Sequence, residues 1–201
     1  MSKRFLGIVM SPSAVQSEGL NAVMDRIQAT GAQAIATGTS VVKPVARGQG
    51  HRQPPLDIDG YERLLDRPLW GKRELWLQGY RTHEYDEDLF AETPYHPGGQ
   101  LPPPELDRDL PHKIIAEAKA RGLQVHLGLS PTSVPGLRDE DKFRYIDGSL
   151  PIPSHRVARQ GCLNNPAVRA YATGLVRDTV RHYPEIDGLF LDWVEYTIYD
   201  L

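Results

Sequence analysis

Residues 5–37 hold two short apolar runs, FLGIVM (5–10) and AQAIAT (32–37), joined by one helical pattern with almost no slack on either side. Leu20, Val23, Met24 and Ile27 recur at i, i+3, i+4 and i+7, which predicts a helix over 17–30, and Gly31 sits where a C-cap belongs. Two strands separated by a helix return to the sheet in the same direction, because the helix carries the chain back along its length. This βαβ unit commits the chain to an α/β fold with a parallel sheet.

The pattern comes back twice. Leu106, Leu110, Ile114 and Ala118 share one helical face, Gly122 ends that helix, and LQVHLGL (123–129) follows as a strand. A long helix then starts at NNPAVRAYATGLVRDTVRHYP, with Asn165 as N-cap and Pro166 in the first turn. Val168, Tyr171, Ala172, Leu175, Val176, Thr179, Val180 and Tyr183 make its apolar face, Pro184 stops it, and IDGLFLDW is the last strand. Between these units, 38–104 is rich in Gly, Pro, Arg and His and reads as a long loop insertion, a length usually tied to function. Its apolar island ELWLQGY (74–80) reads equally as a fifth strand or as an extended segment of that loop.

Composition removes several classes. The 201 residues suffice for one good-sized core, and the net charge of −3 with scattered Lys and Arg offers no field for nucleic acid or an anionic membrane. No apolar run approaches the ~18 residues that span a bilayer. The N-terminal run Phe5–Met10 is too short for a secretory signal, so the chain is expected to be cytoplasmic. Cys162 is the one cysteine, which excludes an intrachain disulfide and a Cys-based metal site; it reads as a packed or loop residue. GIVMSPSAV lacks a dinucleotide fingerprint and GKRE (71–74) lacks the hydroxyl of a P-loop, so no cofactor is expected.

Alternation along the strands selects candidate site residues. In LQVHLGL, Val125, Leu127 and Leu129 suit the helix-facing side, leaving His126, Gly128 and Ser130 on the other. In LFLDW, Leu189 and Leu191 suit the helices, leaving Phe190 and Asp192, with Asp192 at the C-terminal rim. Active sites of parallel α/β folds are built at that rim, and a partly shielded carboxylate there suits nucleophilic or acid/base work. Glu195 is a second candidate carboxylate, and Trp193 and Tyr196 offer flat faces for stacking a sugar ring. An acidic residue closing a strand also serves simply as a cap or an ion-pair partner, and His126 as a hydrogen-bonded packing residue. The acidic run HEYDEDLFAE (83–92) has no fixed metal-ligand spacing and reads as a solvated loop face, and YHP (95–97) as a loop anchor.

The combination of GLQVHLGLSP, DGSLP and CLNNPAVRAYATGLVRDTVRHYPEIDGLFLDWVEY resembles the first half of TIM-barrel glycoside hydrolases of the α-amylase-like and related group. LLDRPLWGKRELWL and ETPYHP resemble the long region between their second and third strands, so the likeness runs over most of 60–196. The resemblance implies a (β/α) TIM-barrel type of α/β fold. Residues 1–201 would form a single catalytic-type domain holding the first four or five βα units of an incomplete barrel. It implies a carbohydrate substrate, Asp192 as nucleophile, His126 lining the sugar site, and Asn164 and Asn165 as the family's NNP element. One departure stands out: amylase-like enzymes carry an Arg two residues before the nucleophile, and here that residue is Phe190.

A full barrel takes ~250 residues, so a chain closing on a fourth strand is expected to be truncated, with open sheet edges that favour self-association. The expected function is a glycoside hydrolase, or the N-terminal half of one, with Asp192 and Glu195 catalytic and His126, Trp193, Tyr196 and Asn164 binding substrate. The alternative is a non-catalytic carbohydrate-binding protein on a degenerate half barrel. A metal-dependent barrel hydrolase ranks last, because FLGIVMSP has no His-x-His pair.

Overall fold

The computed structural model describes residues 5–46, 76–151 and 160–192. The strands β1 (Gly7–Val9), β2 (Ala34–Thr37), β5 (Gln124–Leu129) and β6 (Gly188–Leu191) form one sheet in the order β1–β2–β5–β6. β1 runs parallel to β2, and β5 runs parallel to β6. The molecule is thus mixed α/β with a four-stranded sheet, and its strands fall on the apolar runs at 5–10, 32–37, 123–129 and 186–193. By internal contacts the chain divides into two compact units, 1–83 with 99–125 and 84–98 with 126–201, the boundary falling inside β5.

In the first unit, the helix expected over 17–30 is two: α1 (Pro12–Glu18) and α2 (Leu20–Ala29). Gly19 separates them with φ 86°, a left-handed conformation that interrupts a helix and is open to glycine without strain. Val23, Met24 and Ile27 are buried as their spacing predicts, and Gly31 takes φ 76° just past the helix end. α3 (Leu110–Ala120) begins at Leu110, leaving Leu106 in the preceding turn, and buries Leu110, Ile114, Ile115 and Ala118. α1, α2 and α3 touch one another.

The region read as an irregular loop contains a hairpin. β3 (Ser40–Val45) pairs antiparallel with β4 (Trp76–Arg81), Val41 facing Tyr80 and Lys43 facing Gln78. WLQGY (76–80) is therefore part of the partner of β3 in a separate two-stranded sheet, which removes it as a fifth parallel strand, and Glu74 and Leu75 lie outside the described residues. The Gln16 amide fixes this sheet to α1, donating to the Val42 carbonyl at 2.8 Å and accepting from its N–H at 2.9 Å. Val41 and Val42 are buried.

In the second unit, α4 (Pro166–His182) starts as its sequence requires. The Asn165 side chain accepts from the N–H groups of Ala167 and Val168, and Pro166 fills the first position. Its buried face is Val168, Tyr171, Gly174, Asp178 and Thr179, whereas Val180, expected inside, is 47% exposed. The face is rotated because a short 3₁₀ turn, Glu87–Phe90, lies on it. A Cβ on Gly174 would stand 2.5 Å from the Leu89 carbonyl oxygen, so only glycine permits the approach. Asp178, with 0% exposure, accepts from the Asp86 N–H at 2.9 Å. Phe90, Tyr95, Val134, Val168 and Tyr171 form one buried cluster, with the Phe90 ring tilted onto Tyr171 and Tyr95 edge-on to it. Burial in this cluster pushes the Tyr171 phenol well above its ordinary value.

Candidate functional site

The strand pair β5–β6 carries two of the predicted residues, His126 near its start and Asp192 just past its C-terminal end. Val125, Leu127 and Leu129 are buried and His126 and Gly128 half-buried, the alternation expected of β5. His126 faces Gly188 across the strand pair, and Gly128 faces Phe190. The imidazole lies so close over Gly188 that a Cβ there would meet Nδ1 at 2.9 Å. Asp192 follows β6 directly; its N–H donates to the Leu129 carbonyl at 2.7 Å and its side chain is exposed.

His126 and Asp192 are not neighbours. Asp192 lies four residues beyond Gly188, the cross-strand partner of His126, which is ~13 Å along an extended strand. The row between them is Gly128 and Phe190, the latter 46% exposed. Leu191, expected to face the helices, is 43% exposed; among the described residues β6 is the last strand of the sheet. Glu195, Trp193 and Tyr196 lie outside the described residues.

Asn164 belongs to a second feature, a cleft of about 500 Å³ in the second unit. Two segments build it. Lys142 forms an antiparallel bridge with Gly161, and Ser133 forms another with Gln160. The Phe143 N–H donates to the Gln160 carbonyl at 3.2 Å and the Cys162 N–H to the Asp141 carbonyl at 2.9 Å. The bridge rests on α4 because position 161 has no side chain: a Cβ there would meet Val168 at 2.8 Å. Phe143, Arg144 and Asn164 line the cleft with Glu140, Lys142 and Asn165, and Cys162 sits in its wall.

Asp141 holds the two segments together from behind. Its carboxylate is buried at 3% exposure and accepts from four groups. The Tyr95 hydroxyl and the Asn165 amide donate to it, and Arg138 donates through Nε at 2.8 Å and through its terminal nitrogen at 2.5 Å. Burial pushes the Asp141 carboxyl up, but the Tyr95 and Arg138 hydrogen bonds and the guanidinium charge outweigh it and leave it below the usual carboxylate range. Tyr95 and Asp141 in turn raise the Arg138 guanidinium. YHP (95–97) is therefore a loop anchor, as its sequence suggested. In the acidic run, Glu84, Glu87, Asp88 and Glu92 face solvent, and Asp86 pairs with Arg181.

Sequence reasoning missed Asp141. It sits in the irregular stretch RDEDKFR among five other acidic and basic residues, with no periodicity to mark it as the buried one. Phe143 and the cleft were missed for the same reason, since pairing between 141–143 and 160–162 leaves no local signature.

No protein-family model and no curated protein matches this chain. Among solved structures it is similar to one titled "Kfla1895 D451A mutant", with 16% identity and a TM-score of 0.40, over 92% of this chain and 24% of that one. The chain thus spans about a quarter of that protein's length, and a likeness at this level decides neither fold nor function. Among the described residues no helix is long and apolar enough to cross a membrane.

Proposed function

We propose that the chain carries part of the active site of a glycoside hydrolase built on a (β/α)-barrel sheet, with Asp192 as the essential carboxylate. The observation that supports this reading is the position of Asp192: an exposed carboxylate directly past the C-terminal end of a parallel strand, its backbone tied to the neighbouring strand by the 2.7 Å bond to Leu129. Parallel α/β folds use that end of the sheet for chemistry. The resemblance of CLNNPAVRAYATGLVRDTVRHYPEIDGLFLDWVEY to barrel glycosidases points to the same residue.

In this reading the Asp192 carboxylate attacks the anomeric carbon while the leaving oxygen takes a proton from an acid, for which Glu195 is the candidate. Water then cleaves the glycosyl ester, its proton returning to that second group. His126, four residues back along the strand pair, would contact a part of the sugar chain away from the bond broken. Phe190 supplies an apolar face between the two.

The test is hydrolysis of a panel of aryl glycosides and oligosaccharides by the wild type and by Asp192→Asn. The expected result is turnover that disappears in the variant while its circular dichroism and thermal midpoint stay unchanged. Turnover that survives Asp192→Asn overturns the assignment. Saccharide binding with no turnover in the wild type would favour a carbohydrate-binding protein instead.

A further inference from the structure

The cleft between 140–144 and 162–165 is separate in the chain from Asp192, and its chemistry is specific enough to name a ligand class. Its walls are held in place by hydrogen bonds that converge on Asp141. Asp141 is fixed by Tyr95, Arg138 and Asn165, and Asn165 also caps α4. A ligand would therefore meet a surface that needs little ordering, which lowers the cost of binding.

The charges at the cleft are already balanced. Lys142 pairs with Asp139 at 2.6 Å, Glu140 with Arg138 at 3.3 Å, and Arg144 donates to the Gly148 carbonyl at 3.0 Å. Arg144 meets only a neutral carbonyl, but over 138–144 the formal charges sum to zero, Arg138, Lys142 and Arg144 against Asp139, Glu140 and Asp141. Spare capacity does remain, because an ammonium carries three donors, a guanidinium five, and a carboxylate accepts at several positions. The exposed Asn164 side chain makes no hydrogen bond to another described residue, and it offers both a donor pair and an acceptor. Phe143 is half-buried and braced edge-on by Tyr145, with ring centroids 6.0 Å apart.

A braced aromatic ring, an amide of both polarities and charges that sum to zero with spare hydrogen-bonding positions match a neutral ligand with an apolar face and many hydroxyls. We propose that this cleft is a binding subsite for a neutral sugar unit, stacked on Phe143 and hydrogen-bonded by Asn164. The proposal rests on the carbohydrate reading above but uses none of the residues assigned to catalysis.

Cys162 provides the readout, since it lies in the cleft wall and is the chain's one cysteine. The rate at which a maleimide labels it is measured with and without neutral oligosaccharides, in the full chain. A sugar at ten times its Kd is expected to slow labelling by about tenfold, by mass action. Asn164→Ala, at an exposed position, is expected to require a several-fold higher sugar concentration for the same protection, and Phe143→Ala to need more still. Asp192→Asn is expected to keep the protection whole. Three results overturn the proposal: no neutral sugar slows labelling, inorganic phosphate protects as well as the sugars, or both cleft variants are protected like the wild type. Protection that persists while Asp192→Asn retains turnover leaves the subsite standing and removes only the catalytic assignment.

Discussion

Gly174→Ala adds one methyl group to the middle of α4 and is expected to cost the protein a sizeable part of its stability. On helix propensity alone the change is favourable by about 1 kcal/mol. The new Cβ, however, would stand 2.5 Å from the Leu89 carbonyl oxygen and 2.9 Å from the Phe90 ring. Carbon and oxygen in ordinary close contact lie about 3.3 Å apart, so the turn at 87–90 or the helix must retreat by roughly 0.8 Å. The obstacle is a backbone atom and cannot step aside by changing rotamer. Overpacking of this kind costs about 1–3 kcal/mol. Two simultaneous clashes, one with backbone, argue for the upper figure, leaving a net loss of about 2 kcal/mol once propensity is credited. For a chain of 201 residues that lowers the midpoint of thermal unfolding by about 4–8 °C. Urea unfolding followed by circular dichroism measures the loss, with Thr173→Ala as the control at an exposed position on the same helix. A Gly174→Ala protein as stable as the wild type, or more so, would show that α4 does not pack on this turn as described.

The remaining expectations concern titration and a second glycine. Asp141 has a carboxyl lowered in the folded protein, so its contribution to stability is complete above the unfolded value near ~4 and is lost as pH falls through the lower folded value. Urea midpoints from pH 7 to pH 3 are expected to fall less steeply in Asp141→Asn than in the wild type, from a lower starting stability; parallel curves would refute the role given to this carboxylate. At Gly188→Ala the obstacle is the rim of an imidazole, which can turn, so stability is expected to change little. The His126 ring signals in an NMR spectrum are expected to move, and unchanged signals would contradict the close approach of that ring to Gly188.

Part of this architecture is legible in the sequence. Helix ends are written in single residues with local causes, and Gly31, Gly122 and Asn165 do the work their types suggest. Alternation identified the buried side of β5 because three aliphatic residues there are buried, while the His and Gly between them are half-buried. The hairpin was illegible for the opposite reason. β3 finds its partner more than thirty residues on, across a stretch full of glycine and proline, and nothing in SVVKPV announces that pairing. The face of α4 was misjudged because its inward positions include a glycine and an aspartate, which carry no hydrophobic signal. Gly174 is inside because a turn needs the space, and Asp178 because the Asp86 N–H needs an acceptor. The place of Asp192 at the end of a strand could be read from the sequence, whereas the cleft could not, because it exists only where two loops meet.

The hub at Asp141 also has a bearing on how this part of the chain reaches its native state. Tyr95 is 46 residues from Asp141 in sequence, and Asn165 is 24 residues away on the other side. Neither loop can close locally, and each must give up its chain entropy before any of these bonds is made. α4, by contrast, needs only near neighbours to form its first turns. The cleft is accordingly expected to be among the last features of the second unit to take shape, appearing when a helix already present accepts two incoming loops. Mutations at the hub should then mainly speed unfolding and leave the folding rate almost untouched.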